Sequence, residues 1–167
     1  MFLLTAIVSV IGLAAGAILA RISPEELNPG DLYFCFFRKI VLTAILVTLA
    51  LNSGGMWQFM LIGLIMGFFV RINYLYFGLA LALCSESIVF PLSTLIFIYG
   101  IPTGTLLVHR NLFRPSIIFI ALIAFFLPLP LNLLQLNAPM VMSLCFGALI
   151  HTTYSKFMEG RLNSISI

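Results

Sequence analysis

Long runs of Leu, Ile, Phe, Val and Ala, broken by short polar punctuation, set the pattern of this chain. The first run covers about Phe2 to Ala20 and stops at Arg21. A polar connection, Arg21–Lys39, follows. In it Ser23-Pro24-Glu25-Glu26 carries the signature of a helix start: a capping serine, a proline at the first position and carboxylates in the first turn. Asn28-Pro29-Gly30-Asp31 reads as a turn. Leu32 to Phe37 is aromatic enough to lie at the level of lipid headgroups, ahead of Arg38 and Lys39. Further runs extend over about Ile40–Leu51, Met56–Val70, Tyr74–Phe90, Leu92–Val108, Pro115–Leu134 and Met140–Ser155. None alternates apolar with polar residues, which excludes a membrane β-barrel. The pattern predicts seven helices.

Composition decides the solvent of those helices. The 167 residues are 62% hydrophobic and 8% charged, with a mean hydropathy of +1.20. A soluble domain carries roughly 25% charged residues to wet its surface. The expectation is therefore an all-α integral membrane protein, a single polytopic domain over 1–167 of about seven short transmembrane helices. Nothing basic precedes Arg21, so the N-terminal run reads as a retained first span rather than a signal peptide. The second and third runs are short for a bilayer core of roughly 30 Å, which needs about 20 helical residues. Arg38, Lys39 and Arg71 extend them if their aliphatic stems snorkel to the headgroups.

The charges orient the bundle. With the N-terminus outside, the inner segments are 21–39, 71–73, 109–114 and 156–167, and every Lys and Arg falls in one of them. The outer turns at 52–55, 90–91 and 135–139 hold none. Basic residues collect on the cytoplasmic side, so the expected topology is N-terminus outside and C-terminus inside, in the cell membrane. The expected partners are the lipid bilayer and, at Arg110 and Arg114, anionic headgroups of the inner face. A second copy of the chain or another membrane protein is the further partner class. No cluster forms a dense basic surface, so nucleic acid is not expected.

Small residues recur four apart. Ile11-Gly12-Leu13-x-x-Gly16 precedes Arg21-Ile22, and Ile62-Gly63-Leu64-x-x-Gly67 precedes Arg71-Ile72. Gly100 and Gly104, and Ser143 and Gly147, repeat the spacing. Such pairs lie on one helix face and let backbones approach closely, although glycine is common in membrane helices in any case.

The polar residues within the runs are the candidates for chemistry. Glu86, flanked by Cys84, Ser85 and Ser87, falls in the fourth run, where an acid is costly and faces a bundle interior or a wet cavity. Gln58, Asn132 and Gln135 are expected at a similar outer depth, to line a polar pocket with it. The stretch from Tyr99 through Thr103 to Thr105, with Gly100, Pro102 and Gly104, has the composition of an unwound segment in mid-span. Its plainer alternative is a proline-kinked helix. His151, about one turn from the inner interface, is placed to relay protons or meet a phosphate from inside, or simply to sit at the interface. The three cysteines form no C-x-x-C pair, so neither a metal site nor a redox motif is expected, and no cofactor. No catalytic motif is present, and the chain is not expected to be an enzyme. Two functions remain: a small transporter or channel with Glu86 as the proton- or ion-linked group, or a non-catalytic subunit or scaffold of a larger membrane complex.

Overall fold

The computed structural model describes residues 2–109, 115–134 and 137–165, and among them every regular element is helical. The α-helices are α1 (Phe2–Ile22), α2 (Leu27–Leu51), α3 (Trp57–Phe69), α4 (Asn73–Leu83), α5 (Glu86–His109), α6 (Pro115–Phe126) and α7 (Ala138–Ile165). Two 3-10 turns, Pro24–Glu26 and Leu129–Leu134, complete the order. Leu4–Ile22, Gly30–Leu51 and Glu86–His109 are long and apolar enough to cross a membrane. At 13 and 11 residues, α3 and α4 rise about 20 Å and 16 Å, short of a 30 Å core.

Several boundaries differ from the sequence expectation. The α2 helix begins at Leu27, so the stretch Asn28–Asp31 belongs to its first turn rather than to a separate bend. Pro29 is compatible with this because the first N–H groups of a helix have no intrahelical acceptor to lose. The fourth run does not reach Phe90. It ends at Leu83 with an extended Cys84, and α5 then runs from Glu86 through both Pro91 and Pro102. Hydroxyls along α5 turn back onto its carbonyls: Ser93 and Thr94 donate to Phe90, Thr103 to Tyr99 and Thr105 to Ile101. These bonds go to carbonyls other than those of Ser87 and Ile98, which lose their helical N–H donors to Pro91 and Pro102. The sixth run breaks after Phe126, where Pro128 and Pro130 force a change to the 3-10 turn. Arg110 and Arg114 lie outside the described residues.

The chain resolves into two compact units whose segments interleave. Unit 1 comprises Met1–Thr48 and Ser85–Ile123, and unit 2 comprises Leu49–Cys84 and Ala124–Ile167. Unit 1 is built on α1 against α5. Ala6, Val10, Leu13, Ala17 and Ala20 recur at three- and four-residue spacing and are buried, while Leu4, Ile7, Ile11 and Ile18 on the other side are exposed. Gly12 faces the backbone of Phe97, and Gly16 that of Ile101, so the two helices run parallel. Two hydroxyls bridge the pair: Ser9 donates to the Ser93 carbonyl at 3.3 Å and Thr105 to the Gly16 carbonyl at 3.1 Å.

Unit 2 repeats this design on α3 and α7. Gly63 faces the Leu144 backbone and Gly67 that of Ala148, again in parallel. Ser143 donates to the Met56 carbonyl at 2.6 Å. The match extends further. Gly100 meets Leu13 as Gly147 meets Leu64, and Gly104 meets Ala17 where His151 meets Phe68. Gly12 with Phe97 thus corresponds to Gly63 with Leu144, and Gly16 with Ile101 to Gly67 with Ala148. The two units share one helix pair in one register. Around it, unit 2 adds α4, buried on nearly every side against α7 and the 3-10 turn, with Gly78 on the Phe125 backbone.

Candidate functional site

Glu86 lies in the first turn of α5 and is exposed, so it is not an acid in the middle of a span. The helix break at Cys84 and Ser85 moves it to a helix N-terminus, where the macrodipole favours a carboxylate. Ser85 and Ser87 are exposed beside it, their hydroxyls 3.1 Å apart. Gln58 is exposed in the first turn of α3, which belongs to the other unit. Asn132 belongs to the 3-10 turn, and Gln135 lies outside the described residues.

Tyr99 and Thr103 are set in continuous helix, so the expected unwinding of 99–105 does not occur. Tyr99 is buried, and the Thr103 hydroxyl is spent on the Tyr99 carbonyl at 2.8 Å. The glycines here serve contact with α1 rather than a cavity. A half-open apolar cleft of about 180 Å³ does lie between the first halves of α1 and α5. Leu4, Val8, Phe90 and Phe97 line it, and the hydroxyls of Ser93 and Thr94 in its wall are bonded to Phe90, so it offers no chemistry. Among the described residues no group of His, Cys, Asp and Glu could hold a metal ion.

His151 is different. It lies on α7 beside the end of α3, where Gly67 leaves room for its Cβ and its ring stands edge-on to Phe68 with centroids 5.7 Å apart. Its Nδ1 is buried and finds no hydrogen-bond partner among the described residues. One turn further, the Oγ of Ser155 is in the same condition. A buried polar atom without a partner costs about 1–3 kcal/mol, and such atoms in native proteins mark function, strain or bound solvent. Ser155 carries no motif and was not evident as a candidate in the sequence. Its spacing of four from His151 was the signal that could have found it.

Lone polar residues at helix ends are ordinary; a pair of unsatisfied ones on one face of a tightly packed helix is not. Among the described side chains of unit 2, Arg71 is the one of fixed charge; Lys156, Glu159 and Arg161 follow on α7, their side chains outside the described ones. No protein-family model matches the chain, and no curated protein or solved structure is significantly similar to it, so the chemistry of the site has to come from its own residues.

Proposed function

We propose that the chain is a small multi-pass protein of the cell membrane, N-terminus outside and C-terminus inside, that carries a small solute or ion across the bilayer. The observation that supports this is the duplication: two units, each built on a parallel helix pair sealed by glycines in the same register. Many membrane carriers are assembled from structural repeats whose sequence symmetry is weak. Glycine contacts against backbone make each pair stiff, a property suited to bodies that move as units.

The scaffold alternative needs small-residue faces open to partner helices. Those of α1, α3, α5 and α7 are filled within the chain, which counts against it. In the proposed topology Glu86 and Gln58 stand at the outer ends of α5 and α3, and His151 lies toward the inner end of its membrane segment. The proton- or ion-linked role assigned to Glu86 by sequence passes to His151 on the geometry, and Glu86 becomes a hydrated acid at the outer surface.

Reconstitution of the purified chain into liposomes tests the function. Imposed gradients of protons, sodium, potassium or chloride are expected to relax faster than in protein-free liposomes for at least one ion. If none does, the non-catalytic subunit becomes the better account.

A further inference from the structure

The two units share a helix pair but not its side chains. Where α5 sets Gly104 against Ala17, α7 sets His151 against Phe68. The same alignment makes Ser155 of α7 the counterpart of Val108 of α5. Both polar residues are thus departures from the plain pattern of unit 1, and both have a buried polar atom without a partner among the described residues. They lie four apart on one helix face, where side chains of successive turns are neighbours. Two polar residues that each leave a buried atom unpartnered, on the same face of the same unit, are the mark of a site added to a structural frame.

Resting on the carrier function proposed above, we propose that His151 and Ser155 form its proton-binding site, with water held between Nδ1 and Oγ. The Nδ1 lone pair takes a proton from hydronium, which leaves as water. Nε2 keeps its hydrogen, and the ring becomes an imidazolium. Release reverses the step, and no bond between heavy atoms changes.

Among the described residues, the elements packed most extensively against α7 are α3 and α4. From α3 come Gly67 and the apolar edge of Phe68. The α4 helix brings the phenols of Tyr74 and Tyr76, the latter donating to the Val70 carbonyl at 2.9 Å. Arg71 lies in the link between α3 and α4, and Cys145 is on α7 itself. Lys156, Glu159 and Arg161 follow further along α7, their side chains outside the described ones. No carboxylate is among the described side chains of these elements.

Carbethoxylation by diethyl pyrocarbonate tests the site in the full chain in liposomes, read by mass spectrometry at each histidine. The reagent reacts with the free lone pair of a water-accessible imidazole. His151 is expected to react, with His109 at the end of α5 as internal reference, and its rate is expected to fall as the pH is lowered. An unreactive His151 beside a reactive His109, or a rate independent of pH, overturns the proposal. Proton flux gives the second arm: His151→Phe, which stacks on Phe68, should lose it, Ser155→Ala should slow it, and Ser155→Thr should keep it. Flux intact in His151→Phe also overturns the site. Absence of any flux in the wild type removes the carrier function, while carbethoxylation still decides whether His151 binds a proton from water.

Discussion

At the scale of single residues, burial has chemical consequences outside the spans as well as within them. Cys84 forms the extended link between α4 and α5, and its thiol lies 3.2 Å from the Leu81 carbonyl. Desolvation pushes its pKa up from 9.0 to about 11, the nearby backbone hydrogen bond opposing this weakly. Burial disfavours the thiolate, which is the form that reacts. Iodoacetamide at a pH near 9 is therefore expected to alkylate Cys84 slowly in the folded protein and rapidly after denaturation in SDS. The sign for stability follows. A group whose folded pKa is raised contributes stability below its unfolded pKa of 9.0 and loses it as pH climbs toward about 11. Equal alkylation rates in the folded and denatured protein would show that Cys84 is not buried. Gly54 and Gly55 matter for another reason: their φ values of 60° and 72° close the α2–α3 turn in the left-handed region, where other residues are strained.

At the scale of elements, the stability of each unit depends on one helix pair. A methyl group added at Gly16 would collide with the Ile101 carbonyl, and one at Gly63 with that of Leu144. These are backbone atoms, which cannot rotate away. Gly16→Leu and Gly63→Leu are each expected to destabilise the protein by at least about 1–3 kcal/mol through overpacking. Ala14→Leu, on the exposed side of α1, is the control and should be nearly neutral. Thermal unfolding in detergent, followed by circular dichroism, measures the difference. A common midpoint for all three variants would mean that the parallel pairs do not hold the units together. The short α3 shows how sparing such a contact is: its buried residues are Gly63 and Gly67, while Leu61, Ile62, Ile65, Met66 and Phe69 remain exposed and apolar.

At the scale of the whole molecule, topology is the property most directly open to experiment. Glu25 is exposed in the turn before α2, and Gln58 is exposed at the start of α3. In the proposed topology they lie on opposite sides of the membrane. In a cysteine-free background, Gln58→Cys is expected to react with an impermeant maleimide in intact cells, and Glu25→Cys only after the membrane is opened. Labelling of both in intact cells would rule out α2 as a crossing helix in this orientation.

The helical class, the apolar character and the glycine spacing were legible in the sequence because each depends on residues near one another in the chain. Continuous apolar runs leave no strand alternation, and glycines four apart fall on one face whatever they later meet. The echo between the stretches around Gly12 and Gly63 was likewise visible, although nothing local said what those faces would contact. The rest needed the fold. Whether Pro91 starts a helix or is absorbed by one depends on long-range packing, and here the break falls at Cys84, which moves Glu86 from the middle of a run to the exposed start of α5. Which glycine meets which carbonyl is a matter of pairs some eighty residues apart, such as Gly12 with Phe97. Ser155 gained its meaning the same way: an ordinary serine in sequence, it became notable only when folding buried its hydroxyl beside His151 without giving it a partner. Local periodicity determines what a segment is; long-range packing alone determines which polar atoms are left unsatisfied.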